Sequence, residues 1–235
     1  MANDNQRPKT TANMTFSDHI INFIKNLSFP FLPQGEIEVM NPFEDNYTMS
    51  VCEAFYKKYY NDGSKRIMIL GINPGRFGGG VTGIPFTDPI RLQNDCGIPN
   101  IWPKKQELSS LFIYNMIDAF SNAKAFYNKF YITAISPLGF TKHNKNCNYY
   151  DDKNLLKDIK GFVVDCMNKQ LLFGIDRSVA FCLGDGKNYK YLSKLNEEQQ
   201  FFRKVIPLPH PRFIMQYKLK SKDEYIQYYL RHLKS

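Results

Sequence analysis

Paired cysteines are missing from this chain. Its five cysteines, Cys52, Cys96, Cys147, Cys166 and Cys182, are scattered, odd in number and never at C-x-x-C spacing. That argues against a zinc ribbon or an iron–sulfur cluster and predicts free thiols in a reducing, intracellular (cytoplasmic) setting. No apolar run approaches the ~20 residues that cross a bilayer, so no membrane is expected as a partner. The opening "MANDNQRPKTTAN" lacks the apolar stretch of a signal peptide, and residues 1–14 are expected to form a flexible tail. Acidic residues are scarce, 22 against 31 Lys and Arg, which leaves a net charge of +9. A surplus of that size fits a polyanionic partner and a merely solvated surface about equally well.

Two nucleotide signatures are also missing. "GINPGRFG" has no Gly-Lys-Ser/Thr ending, so no lysine would reach a nucleotide phosphate. "LGDGKNY" offers Gly184 and Gly186 but no third glycine, so the dinucleotide fingerprint fails. No nucleotide cofactor is expected.

What is present is an alternation of strand and helix patterns. The length of 235 residues suits one core-forming domain, expected over residues 15–235, and aromatics are abundant (19 Phe, 15 Tyr). "FSDHIINFIKNL" reads as a helix capped by Ser17, and "SVCEAFYKKYY" as a second. "SFPFLPQGEIEVMNPF" reads as a loop. "RIMILG", "FYITAIS", "SVAFCLG" and "KVIPL" are short, mostly apolar runs that suit strands covered on both faces. Between them "DPIRLQNDC", with Asp88 as cap, "LSSLFIYNMIDAF", "DKNLLKDIKGFVVDCMNKQLL" and "GKNYKYLSKLNEE" read as helices. "SKDEYIQYYLRHL" closes the chain, with Ser221 and Glu224 at capping-box spacing. The pattern predicts a three-layer α/β/α fold around a four-stranded parallel sheet.

Ligands of such sheets bind at the carboxyl ends of the strands. Those ends carry unusual sequence here: "GINPGRFGGGVTGIPF", with six glycines between Gly71 and Gly83, then "SPLGF", "LGDG" and "PHPRF". Asn73 precedes a proline, and an isolated Asn-Pro is most often a turn. An isolated histidine near a core is usually just a hydrogen-bonded one. His210, however, stands between Pro209 and Pro211, whose rings hold its backbone extended. A fixed histidine can donate a hydrogen bond to a developing anion, and a fixed amide can orient a water.

These segments resemble the uracil-DNA glycosylase superfamily, specifically its single-strand-selective monofunctional branch. Asn73, Pro74, Gly75, Phe77, Gly78, Thr82, Gly83, Pro85 and Phe86 fall in register with that branch's first signature. "SPLGF" is similar to its Cys-Pro-Leu segment, and "PHPRF" to its His-Pro signature, shortened by two residues. The likeness runs from Arg66 to about Lys218 and leaves the N-terminal helices outside.

The resemblance implies a monofunctional DNA glycosylase of base excision repair that hydrolyses the N-glycosidic bond without metal or cofactor. It would act as a monomer on uracil-containing DNA, single- or double-stranded. Asn73 would position the water and His210, as a neutral donor, would stabilise the departing base. Ile72, Pro74, Gly75, Phe86 and Ser136 would form the base pocket, with Phe86 stacking on a flipped-out base. Gly75 would leave room beside C5 and so admit 5-hydroxymethyluracil and other oxidised pyrimidines. Gly78, Gly79, Gly80, Pro211 and Arg212 would contact DNA, with Arg212, Phe213, Ile214 and Met215 as candidates for a wedge into the base stack.

One position departs from the branch. Ala134 stands where its base-reading asparagine would be, so Ser136, or Asn144, Asn146 or Asn148 of "HNKNCN", must supply the missing polar group. Three other readings stand beside this one. They are a non-catalytic nucleic-acid-binding protein on the same scaffold, a mismatch-type glycosylase preferring thymine or xanthine, and a nucleotide-dependent Rossmann-type enzyme.

Overall fold

The computed structural model describes residues 14–30 and 36–234. The expected tail, residues 1–14, lies outside them but for Met14. Among the described residues no helix is long and apolar enough to cross a membrane.

Four strands, β2 (Arg66–Gly71), β3 (Phe130–Ala134), β6 (Ile175–Leu183) and β7 (Val205–Leu208), form a parallel sheet in the order β3-β2-β6-β7. These are the four runs expected from the sequence. All five residues of β3 are buried, as are Met68, Ile69 and Leu70 of β2 and Ala180–Leu183 of β6. Parallel strands covered on both faces carry such continuous apolar runs because neither face meets water.

The helices that cover the sheet are α1 (Phe16–Lys25), α2 (Asn46–Tyr60), α5 (Leu108–Phe120), α6 (Ala123–Lys129), α7 (Lys153–Leu171), α8 (Lys187–Gln199) and α10 (Lys222–Leu233). Short helices α3 (Gly79–Thr82), α4 (Pro89–Asn94) and α9 (Pro211–Tyr217) lie in the connections near the strand ends.

Two expected caps are corrected. Thr15, not Ser17, caps α1, in a capping box with Asp18; Ser17 lies inside the first turn and is buried. Ser221 makes no capping bond, because a 3₁₀ turn runs directly into α10 and leaves its backbone near-helical. Asp88 does cap α4, accepting from the N–H groups of Ile90 and Arg91.

A second, antiparallel sheet was not expected. β1 (Ile37–Met40) lies in the segment read as a loop and pairs with β4 (Gly139–Lys142), which pairs in turn with β5 (Lys145–Cys147). His143 and Asn144 join β4 to β5 with φ of 50° and 57°. Two consecutive left-handed residues make the tight hairpin turn whose twist matches the flanking strands.

Arg66 opens β2 and is wholly buried, at the corner where α1, α2 and the sheet meet. Its guanidinium bonds both carboxylate oxygens of Asp62 (3.0 and 2.8 Å) and the carbonyls of Tyr127 (2.8 Å) and Ser64 (2.9 Å). The rings of Phe16 and Tyr60 lie 4.7 and 4.9 Å from it. The Arg66 hydrogen bonds hold the Asp62 carboxyl below its usual range. Removing the guanidinium strands buried acceptors, so Arg66→Met is expected to cost roughly 2–4 kcal/mol. Urea denaturation measures it, and a loss below about 1 kcal/mol would contradict this packing.

Candidate active site

The carboxyl ends of β2, β3, β6 and β7 surround a cavity of about 390 Å³. Ile72, Asn73, Pro74 and Gly75 line it from β2, Ala134 from β3, Gly184 to Asn188 from β6 and α8, and His210, Arg212 and Phe213 from α9. Phe86, Glu107, Asn146, Asn148 and Tyr150 are also among the residues of its wall. Asn73 and His210, 137 positions apart in the chain, thus face one space.

The Asn73 amide is held at both ends by the backbone that follows the hairpin. Its Oδ1 accepts from the N–H of Tyr149 (3.1 Å), and its Nδ2 donates to the carbonyl of Cys147 (3.2 Å). That pairing fixes which end is oxygen, since an N–H must meet the oxygen and a carbonyl the NH₂. A second lone pair on Oδ1 stays free to accept from a water. Tyr149 is itself anchored: its buried hydroxyl donates to Asn188 Oδ1 (2.8 Å). Asn188 Nδ2 in turn donates to the Leu183 carbonyl at the end of β6 (3.0 Å).

His210 is the N-cap of α9, with Pro211 at the first helical position. Its backbone is extended, φ −65° and ψ 134°, as the proline that follows it requires. The Arg212 backbone N–H donates to Nδ1 at 3.1 Å. A nitrogen that accepts carries no proton, so in the neutral ring Nε2 is the N–H. Burial, with a smaller contribution from the Arg212 charge, lowers the His210 pKa to about 4. The ring is therefore a neutral donor at physiological pH.

Phe86 sits at φ 53°, a conformation that a bulky non-glycine residue rarely adopts. Its ring presses on Gly71, where an added Cβ would come within 2.8 Å of it; only glycine admits the ring there. The Phe86 and His210 rings stand 6.1 Å apart at 48°.

Several expected site residues are placed differently. Ser136 lies outside the cavity lining: its hydroxyl is buried and donates to the Leu138 carbonyl (2.7 Å), closing its own turn. The N–H groups of Gly78 and Gly80 point back to the Gly75 carbonyl (3.2 and 2.9 Å), so they fold the loop and are not free to meet DNA. Of the three glycines only Gly79 reaches the cavity wall. Pro211 is buried in the first turn of α9, and Ile214 and Met215 belong to the core, facing inward on a helix that the sequence reading missed. Arg212 and the exposed Phe213 remain at the rim.

Glu107, Tyr149, Tyr150 and Asn188 were not anticipated. The polar run "HNKNCNYY" held the available signal, because Asn-rich turns between short strands favour hairpins.

Comparison with known proteins agrees with this geometry. Residues 57–234 match the family described as the uracil DNA glycosylase superfamily. The chain belongs to that superfamily. The match reaches further than the motif likeness and takes in the end of α2 and all of α10. Among solved structures, wild-type SMUG2 of Pedobacter heparinus is similar, with 52% identity and a TM-score of 0.91 over 94% of this chain and 97% of that one. No curated protein matched. The protein is a monofunctional DNA glycosylase, a hydrolase.

The lowered His210 pKa has a testable sign. The ring is neutral above about pH 4, so protonation does not remove its acceptor nitrogen until the pH nears that value. Base release is expected to show no histidine titration near pH 6.5 and to fall only as the pH approaches about 4. A fall centred near the usual histidine value would contradict the assignment. Stability follows the same linkage: an unfolded histidine takes up its proton near pH 6.5, so this contribution is lost as pH falls from there towards about 4.

Proposed function

We propose that the protein releases uracil, and oxidised pyrimidines such as 5-hydroxymethyluracil, from DNA in base excision repair. The observation that carries this reading is the clamped Asn73 amide sharing one cavity with a neutral, donor-bearing His210. The target nucleotide leaves the stack and its base lies against the Phe86 ring. The bond from C1′ to the base nitrogen then breaks, and its electron pair leaves with the base. His210 Nε2–H donates to the base O2, where negative charge accumulates. A water accepted by Asn73 Oδ1 supplies the oxygen that bonds to C1′, and its surplus proton passes to solvent. An amide cannot take that proton, so Asn73 is a positioning group and not a base.

DNA is the natural partner of such a site. Around the cavity, cations lie over exposed or half-exposed rings: Arg76 (4.6 Å) and Lys105 (5.3 Å) over Phe77, and Lys187 (5.6 Å) over Tyr150. Such a rim grips phosphates through charge and bases through stacking. Gly75 presents no side chain to the cavity, which supports room beside C5 of a bound base. The SMUG2 likeness supports the same substrate class.

Single-turnover base release tests the reading. A uracil-bearing oligonucleotide is expected to yield free uracil and an intact strand that breaks only on alkali treatment. Asn73→Ala and His210→Ala are each expected to slow release by about 10²-fold or more while DNA binding survives. Near-full activity in either variant would remove that residue from the mechanism.

A further inference from the structure

Two buried side chains have no part in that reaction, Tyr149 after β5 and Asn188 in the first turn of α8. The single proton of the Tyr149 hydroxyl goes to Asn188 Oδ1 at 2.8 Å. Burial pushes that hydroxyl well above its usual range, so it stays protonated and remains a donor. Asn188 Nδ2 faces two strand ends, the carbonyl of Leu183 on β6 at 3.0 Å and that of Gly71 on β2 at 3.4 Å. The oxygen must meet the O–H and the NH₂ the carbonyls, so both ends of the amide are spent. Asn188 therefore keeps no hydrogen with which to read a base, although it lines the cavity. The path closes on itself. From Asn188 it runs through the Tyr149 hydroxyl and ring to the Tyr149 N–H, and from there at 3.1 Å to Asn73 Oδ1. It returns along Ile72 to the Gly71 carbonyl that Asn188 holds. One residue thus fixes Asn73 twice, at the root of its loop and at the tip of its side chain.

We propose that Tyr149 and Asn188 are positioning residues for base release, keeping the Asn73 amide aimed at its water through this closed ring. The inference rests on the role given to Asn73 above. Opening the ring at the Tyr149 hydroxyl leaves the Tyr149 backbone free to shift. The Asn73 amide shifts with it, because the Tyr149 N–H is the group its oxygen is bonded to. The rate follows the geometry, since a small displacement of an orienting group takes the water out of line with the reacting carbon. DNA affinity does not follow it, because most of that affinity comes from phosphate contacts. The same Gly71 lies under the Phe86 ring, so the ring of bonds also steadies the floor on which that aromatic rests.

The test is a double-mutant cycle on single-turnover release of uracil. Tyr149→Phe removes one hydroxyl and keeps the ring, and Asn188→Ala removes every bond of that amide, with thermal melting as the check on folding. Tyr149→Phe, the milder change, decides the matter alone should Asn188→Ala not fold. Each is expected to slow release about 10-fold, the size of one lost hydrogen bond, with DNA binding within about twofold of wild type. In an Asn73→Ala background the same substitutions are expected to change the rate by less than about twofold, since the group they aim is gone. A lower melting temperature with an unchanged rate would overturn the proposal, because that is what a merely structural role gives. Equal slowing in both backgrounds would overturn it too, since it marks a group that acts without Asn73. Near-wild-type release by Asn73→Ala alone would instead overturn the role of Asn73, and this inference with it.

Discussion

The site depends on two hydrogen bonds that hold one side-chain amide. Asn73 lies in the loop after β2, and a loop asparagine alone would sample several rotamers. The Cys147 carbonyl and the Tyr149 N–H fix it from both ends. Those two groups stand where they do because β5 pairs with β4, and β4 with β1. The small antiparallel sheet thus braces the Asn73 amide. The Tyr149 hydroxyl on Asn188 ties that brace back to the end of β6. Preorganisation of this kind matters because a group already aimed needs no reorganisation when charge develops.

The opposite wall uses a different device. His210 gains its direction from being a helix cap, with the Arg212 N–H on Nδ1 and proline on both sides. The low pKa follows from burial first and the Arg212 charge second. A cationic histidine would have no acceptor for that N–H, so the cap and the neutral state support each other. Phe86, in its unusual backbone conformation, and Gly71 beneath it bring an aromatic face to the same cavity. The proposed reaction uses both walls: an amide that orients water does not offset the charge on a departing base unless a donor faces it.

The parallel sheet was legible because each of its strands is an apolar run bounded by turn residues. That Asn73 and His210 would face one cavity was legible from their places at strand ends beside prolines and from the motif resemblance. The antiparallel sheet was not, since strands of three or four residues such as Lys145–Cys147 are too short to show alternation. Helix α9 hid behind the His-Pro motif: "PRFIMQY" begins with proline, which suits the first turn of a helix as well as it breaks one. Missing that helix turned Ile214 and Met215, both core residues, into wedge candidates. Ser136 misled for a related reason. Strand alternation cannot tell a hydroxyl that faces a pocket from one that closes its own turn on Leu138. Glu107 had no signal at all, because its place beside Gly75 and Gly78 arises only when α5 packs under the glycine loop.

The most direct test of the account is a crystal structure of the protein bound to an oligonucleotide carrying 2′-fluoro-2′-deoxyuridine, whose glycosidic bond resists cleavage. The account predicts the uracil ring against Phe86, His210 Nε2 within hydrogen-bonding distance of its O2, and a water between Asn73 Oδ1 and C1′. A base bound elsewhere, or an Asn73 amide turned away from the sugar with its bonds to Cys147 and Tyr149 broken, would contradict it.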